Sequence, residues 1–197
     1  YAQSGGLLGG SGNLLIANSF SQAAGAIKLA GQLAIRQSTG DLRFASLAAR
    51  DVSLSALNGA IGQDGAVVAT SLVTQSQNGT LLDNAGNQVD SFSASNSAAG
   101  GIVLKNTSTP GSLALGLLVT GAGNVAIENT GGIVASSINA NGGNVVLTAH
   151  SPVTVNGATI PQDLVNGWQY RADTNSVVFL GNYVPPPGAS VRLRYAY

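Results

Sequence analysis

The sequence lacks cysteine and methionine and has few charged residues, and these absences narrow the range of functions. Asp, Glu, Lys and Arg make up 8% of the chain, compared with about 25% in an ordinary soluble domain. Without cysteine the chain has no disulfide, no catalytic thiol and no cysteine-ligated zinc. The net charge is zero, which argues against nucleic acid or an anionic membrane surface as partner, because both require a basic patch.

Long apolar runs are also absent: no stretch reaches the ~18 residues that a membrane helix needs, and no signal peptide is visible.

The 197 residues are 44% hydrophobic, so a core can form while Ser, Thr, Asn, Gln and Gly cover the surface. This composition is typical of a secreted bacterial surface protein, whereas a cytosolic domain normally carries more Lys and Glu. Because the first residue is Tyr1, we expect a mature or excised segment.

A short phrase recurs about every twenty residues: a glycine or asparagine followed by a strand of alternating apolar residues. Residues 124–128 (NVAIE) recur as 144–148 (NVVLT), and 101–105 (GIVLK) are an earlier copy. Repeats of this length with short strands and glycine turns indicate a solenoid, in which stacked coils bury one another's apolar faces. The sequence therefore predicts an all-β solenoid of about twenty residues per coil, with a β-sandwich as the main alternative.

The repeat occupies most of the chain, from about residue 26 to residue 157. Before it, residues 1–25 are rich in glycine and contain one short predicted strand, at residues 14–16. We therefore assign residues 1–157 to a β-solenoid with a glycine-rich N-terminal segment.

The chain changes character from about residue 158. Six of the ten aromatic residues and four of the six prolines lie in residues 158–197, and the repeat phrase stops. Strands predicted at 168–171, 176–180 and 190–197 alternate with turns. We interpret this tail as a small antiparallel β-meander that caps the edge which an uncovered last coil would expose.

Three consecutive segments carry a family resemblance: residues 60–66 (AIGQDGA), 81–89 (LLDNAGNQV) and 100–106 (GGIVLKN). Their order resembles the repeats of filamentous-haemagglutinin-type large exoproteins, the two-partner-secretion adhesins, over residues 40–157. The resemblance implies a right-handed parallel β-helix, secretion through a partner pore in the outer membrane, and a role in adhesion or biofilm-matrix scaffolding. It supplies no catalytic residues, and the amino-terminal secretion domain of that family is not recognisable. The tail resembles a small β module that ends other secreted bacterial proteins.

Residues that could carry catalysis or bind a metal are few. His150 is the only histidine, and the chain contains no nucleophile-elbow sequence. We therefore expect His150 at a corner or facing solvent rather than in a hydrolase triad. Asp64 and Asp83 are about one coil apart and are the candidate pair for glycosidase chemistry, although turn and corner roles explain every acid. Residues 9–14 (GGSGNL) are similar to a glycine-rich calcium repeat, but Asn13 stands where a carboxylate ligand is needed. We predict no cofactor and no metal site.

The tail contains the best candidate contact surface, because Tyr, Trp and Arg anchor interfaces and aromatic rings stack on sugars. The alternative is that its aromatic residues fill the core of the cap, which we favour for Trp168 and Phe179. The candidate residues are Tyr170, Arg171, Tyr183, Arg192, Arg194, Tyr195 and Tyr197.

Three functions compete. The first is a non-catalytic structural or adhesive segment of a secreted bacterial surface protein, with host or bacterial surface glycans or proteins as partners. The second is a subunit of an extracellular filament, in which copies join through their solenoid ends or through the C-terminal strand. The third is a polysaccharide-active enzyme, which the scarcity of charge disfavours.

Overall fold

The structure is a computed structural model that describes residues 1–108, 111–150, 153–155, 158–160, 165–171, 176–187 and 191–192. Its contacts divide the chain into two units, Tyr1–Ala149 and His150–Tyr197. The first unit is a parallel β-solenoid of about seven turns with about 20 residues per coil. The predicted all-β solenoid is confirmed, as is a small antiparallel sheet near the C-terminus.

Each coil contributes two strands (coils 1 and 2) or one longer strand (coils 3 to 7) to a long sheet. Each coil then ends with a short strand. A two-residue strand precedes coil 1. In chain order the strands are β1 (Ala2–Gln3); β2 (Leu7–Gly10), β3 (Leu14–Ile16) and β4 (Ser21–Gln22) of coil 1; β5 (Ala26–Leu29), β6 (Gln32–Gln37) and β7 (Leu42–Phe44) of coil 2; β8 (Leu47–Ala56) and β9 (Ile61–Gln63) of coil 3; β10 (Val67–Ser76) and β11 (Thr80–Leu82) of coil 4; β12 (Gln88–Asn96) and β13 (Ile102–Asn106) of coil 5; β14 (Ser112–Val119) and β15 (Val125–Asn129) of coil 6; and β16 (Gly132–Asn139) and β17 (Val145–Ala149) of coil 7.

Stacking of the coils produces two parallel sheets. The long sheet has nine strands in the order β16-β14-β12-β10-β8-β5-β2, with β6 beside β8 and β3 beside β6. The short sheet has six, in the order β17-β15-β13-β11-β9-β7, and β4 pairs with β1. Hydrogen bonds between neighbouring coils join residues 19 apart at Asp41 and Ala60 and 23 apart at Asn106 and Asn129. Coil length therefore varies about the twenty-residue repeat. The register shifts within the pairing of β12 with β14, and β8 pairs with residues 20 positions earlier in β5 but 19 positions earlier in β6.

The core consists of rows of apolar side chains, one above another along the coils. Leu33, Val52, Leu72, Phe92 and Leu115 form one row, each aligned with the next by parallel pairing and each at most 1% exposed. Alternate residues of the long strands are buried, as the two-residue period of a strand requires. Because a coil cannot cover its own apolar face, each coil depends on its neighbours for this burial.

Polar side chains also lie inside the solenoid, at the corner where a short strand leads to the next long strand. Gln63 and Asn87 exchange hydrogen bonds through their side-chain amides (2.9 and 3.0 Å), and Asn87 Oδ1 accepts one from the Val67 N–H (2.9 Å). In later coils Asn106 Nδ2 donates to Asn129 Oδ1 (2.9 Å). No buried side-chain nitrogen or oxygen among the described residues lacks a partner, so these amides link the coils without an unsatisfied polar group.

The N-terminal segment is more regular than the sequence predicts. Residues 1–25 form strands β1 to β4 rather than a single strand, and Leu7 and Leu8 of β2 align with Ala26 and Ile27 of β5. A parallel ladder is held by backbone groups, which Gly9 and Gly10 supply as well as any residue. Glycine has a weak strand propensity, so the local sequence does not predict a strand here. The strand forms because its backbone pairs with that of the next coil.

The second unit contains short antiparallel pairings. Its elements are β18 (Val153–Val155), β19 (Ala158–Ile160), β20 (Trp168–Arg171), β21 (Ser176–Phe179), a 3-10 helix (Gly181–Tyr183) and β22 (Val191–Arg192). The predicted hairpin of β20 with β21 is present, and its aligned residues Trp168 and Phe179 are both half-buried. The sequence placed Val153–Val155 in the solenoid and the last strand beside the hairpin. Instead, β18 pairs antiparallel with both β19 and β22.

Candidate contact surfaces

The residues predicted as a contact surface belong to the second unit, where the described backbone distributes them among separate elements. Tyr170 and Arg171 lie in β20, Tyr183 ends the 3-10 helix and is half-buried, and Arg192 lies in β22. Strands β20 and β22 belong to different sheets, so no sheet of the described residues joins Arg192 to Tyr170. The other three candidates, which lie outside the described residues, are Arg194, Tyr195 and Tyr197. The aromatic contact surface stays a prediction.

The outer side of the short sheet carries charged side chains in pairs. Arg43 Nε donates to both carboxylate oxygens of Asp64, at 2.8 and 2.9 Å, and Lys105 Nζ lies 3.6 Å from Glu128 Oε2 one coil away. The hydrogen bond from Arg43, and then its charge, hold the pKa of Asp64 below its ordinary value, and the same bond raises the pKa of Arg43. The Arg43–Asp64 pair is exposed, so it orders the surface more than it stabilises the fold.

The acids and polar corner residues considered for catalysis or metal binding have structural contacts. Asp64 is paired with Arg43, and the charge of Asp83 also contributes to the raised pKa of Arg43. Asp41 Oδ1 accepts a hydrogen bond from the Ala60 N–H, and Asn13 Oδ1 accepts one from the Gln32 N–H, each reaching one coil along (both 2.8 Å). Within the part of the chain that the structure describes, no group of three His, Asp or Glu residues could hold a metal ion.

The outer side of the long sheet presents hydroxyl groups in rows, which we call the hydroxyl face. Ser71 aligns with Ser91, and Ser55 lies two coils below Ser95 with Gln75 between them. Inward positions alternate with these and are buried, so the serines lie on the outer side. Ser71 and Ser91 are at the ~4.8 Å spacing of paired strands, and the other serines of a row are about twice as far apart because Val73 or Gln75 lies between them. The hydroxyl face consists of Ser53, Ser55, Ser71, Ser91, Ser93 and Ser95.

A shallow open groove of about 350 Å³ runs over the first half of the same long strands. Its wall includes Lys28, Ala48, Val68 and Gln88, which are aligned from coil 2 to coil 5. The groove therefore follows the stacking direction, with the Lys28 cation at one end and the Gln88 amide and Asp90 carboxylate at the other. This geometry suits an extended chain that lies across several coils.

The hydroxyl face and the groove were not anticipated from the sequence. Aromatic residues and arginines directed attention to the tail, whereas serine is common in turns and has no strong interface signal. The available signal was the S-x-S pattern at residues 53–55 and again at 91–95. Its meaning depends on knowing that both segments are strands whose serines face outward on the same sheet.

No helix of the described residues is long and apolar enough to span a membrane. The chain matches no protein-family model, no curated protein and no solved structure.

Proposed function

We propose that the chain is a non-catalytic structural and adhesive segment of a secreted bacterial surface protein, and that its adhesive surface is the hydroxyl face. The observation that carries the proposal is the alignment of outward serines over a continuous core, with Ser71 beside Ser91 and with Ser53 and Ser55 two coils from Ser93 and Ser95. A partner that itself repeats, such as a surface polysaccharide, can make the same weak hydrogen bond at successive coils, and linked weak contacts add to a useful avidity. The sequence resemblance to secreted adhesin repeats supports the same role.

The electrostatics of the acid candidates favour binding over turnover. A glycosidase needs a carboxylic acid whose pKa is raised so that it can donate a proton. The bond to Arg43 instead lowers the pKa of Asp64 and keeps it ionised. The serine hydroxyls can hold a glycan but cannot supply this acid, and Asp51, which is aligned with Ser71 in the same sheet, is paired with Arg50.

The test measures retention and turnover on the same polysaccharides. Neutral and acidic bacterial polysaccharides are immobilised, and both retained protein and released reducing ends are quantified. We expect retention without release of reducing ends. A triple variant, Ser53→Lys with Ser71→Lys and Ser91→Lys, should lose retention at least tenfold because each long side chain covers its neighbours. The control places the same substitutions at exposed serines outside this face, Ser11→Lys, Ser38→Lys and Ser97→Lys.

Two results would contradict the proposal. Equal retention by the two triple variants would remove the hydroxyl face as the adhesive surface. Reducing ends released by the parent chain, and lost in Asp64→Asn or Asp83→Asn, would establish an enzyme instead.

A further inference from the structure

Coil 7 ends the solenoid with two strands that are paired on one side only. Strand β16 is the last strand of the long sheet, and β17 is the last of the short sheet, among the residues that the structure describes. An edge strand presents a row of backbone N–H and C=O groups that can pair with another strand. Coil 7 therefore offers two ready-made edges that face the same direction along the stack.

The apolar rows of the short sheet continue into coil 7 but are not covered there, whereas Ile133 of the long sheet is only 8% exposed. Val145 and Leu147 align with Val125 and Ile127 of coil 6. The two coil 6 residues are at most 1% exposed, whereas Val145 is 46% and Leu147 is 40% exposed. Positions that are core in every inner coil are thus open to solvent at this end, which leaves apolar burial unused.

Coil 1 has the complementary property at the opposite end of the stack. Leu8 and Leu14 are aligned with Ile27 and Leu33 of coil 2, which are buried, yet both are only half-buried. Strand β2 is the terminal strand of the long sheet on this side. Both ends therefore carry partly uncovered apolar positions, in the short sheet at coil 7 and in the long sheet at coil 1, and the long sheet has an unpaired parallel edge at each end.

Neither end carries the features that usually prevent edge pairing. Natural sheets protect their edges with lysine, other charges or proline. Residues 1–25 and 132–149 contain no Asp, Glu, Lys, Arg or Pro, although the coils between them contain eleven charged side chains. Side-chain charges of these segments therefore do not repel each other when two such ends approach. Because neither segment contains proline, every residue in them has a backbone N–H to donate.

We propose that coil 7 of one copy docks onto coil 1 of a second copy, so that chains associate head to tail. Because every strand pair of the solenoid is parallel, β16 of one copy can pair with β2 of the next in the same strand direction and at the same spacing. On the short-strand side β17 then lies beside β1, the outer partner of β4. A head-to-tail contact leaves one free end at each step and generates a filament rather than a closed dimer. This inference is independent of the adhesive role, which needs only the outer side of the long sheet.

The test compares the full chain with variants that place lysine at the coil 7 edge or on an inner coil. The edge variants are Val145→Lys and Leu147→Lys, and the controls are Val68→Lys and Leu81→Lys, whose parent side chains are 41% and 49% exposed. Light scattering and electron microscopy follow assembly from 1 to 200 µM, and circular dichroism confirms that each variant is folded. We expect filaments from the parent and the controls, and at least a tenfold higher assembly concentration for the edge variants.

Hydrogen exchange at low and high concentration gives a second, substitution-free measurement. Amides of residues 132–149 and 7–16 should gain protection as the parent chain assembles, whereas inner-coil amides should not change. A monomeric parent at 200 µM, edge variants that assemble like the controls, or protection confined to other residues would each overturn the proposal. Retention on polysaccharide is measured below the assembly concentration, so failure of the adhesive role is scored separately.

Discussion

Asn87 lies fully buried where successive coils meet, and its side-chain amide connects them. Its oxygen accepts from Gln63 and from the Val67 N–H, while its nitrogen donates to Gln63 and to the carbonyls of Leu82 and Lys105. A buried polar group that loses its partner costs about 1–3 kcal/mol. The corner is therefore held by one residue whose removal leaves several groups unsatisfied at once.

Replacement of this residue tests the ladder of buried amides. We expect Asn87→Ala to lower the free energy of unfolding by about 3 kcal/mol, because Gln63 and the Val67 N–H lose their partner. Chemical denaturation measures the change. The control is Asn84→Ala, where a half-exposed side chain accepts one local bond from the Gly86 N–H and should cost no more than about 1 kcal/mol. Equal losses would mean that the internal ladder contributes nothing of its own.

The Arg43–Asp64 pair makes a pH-dependent prediction. Because the pKa of Asp64 is lowered in the folded state, the pair stabilises the fold above the ordinary carboxyl pKa of about 4. That contribution is lost as the pH falls through the lowered value. We expect NMR titration to show the low pKa of Asp64 and Arg43→Gln to return it towards normal, with little change in the thermal midpoint because the pair is exposed. An unchanged titration in Arg43→Gln would contradict the assignment.

The corners explain why the repeat phrase begins with glycine. A Cβ at Gly123 would overlap the carbonyl oxygen of Gly100 in the preceding coil, and one at Gly143 would overlap that of Gly123. The stacked backbones approach too closely for a side chain, so the same corner is glycine in successive coils. The recurring glycine is thus a consequence of coil stacking, beyond its usual freedom in turns.

Substitution at this corner tests the stacking. We expect Gly123→Ala to destabilise the chain by about 2 kcal/mol, because backbone atoms of coils 5 and 6 must separate. Gly5→Ala is the matched control, since nothing lies within 4 Å of a Cβ at that position, and its effect should be within about 0.5 kcal/mol. Thermal and urea unfolding provide the comparison. A neutral Gly123→Ala would show that the corner can relax freely.

Elements with strong alternation were predictable, and those without it were not. The sequence predicted the strands at β13, β15 and β17 because apolar residues alternate after a Gly or Asn. It missed β1, β2 and β4, where glycine and small polar residues carry no alternation and the strand exists through pairing with the next coil. Long-range pairing also determines the position of Val153–Val155. The sequence predicts one more solenoid strand there, but the strand pairs antiparallel.

At the scale of the whole solenoid, stability should depend on position in the stack. Each coil gains its burial from its two neighbours, so inner coils have twice the stabilising contacts of end coils. We expect hydrogen exchange at low protein concentration to be slowest in β10 and β12 and fastest in β2 and β17. Uniform protection along the coils would show instead that the unit unfolds only as a whole.

One candidate surface could be predicted from local sequence composition, whereas the other is recognised only from the alignment of the coils. The aromatic and arginine residues of the tail stand out in composition, whereas the hydroxyl face consists of ordinary residues made distinctive by alignment. Ser71 and Ser91 are twenty residues apart in the sequence and neighbours in the sheet. Only the register of the coils converts scattered serines into rows.

The sequence by itself determined the all-β class, the twenty-residue coil and the glycine and asparagine corners, because alternation and turn chemistry are local properties. It also determined that both end coils are uncharged. Tertiary structure alone decided that Gln63, Asn87, Asn106 and Asn129 face inward, since a buried amide is tolerated only when its partner one coil away is in reach. It likewise decided that the glycine-rich start is a coil and that the solenoid unit ends at Ala149, because edges and boundaries are set by which backbone finds a partner.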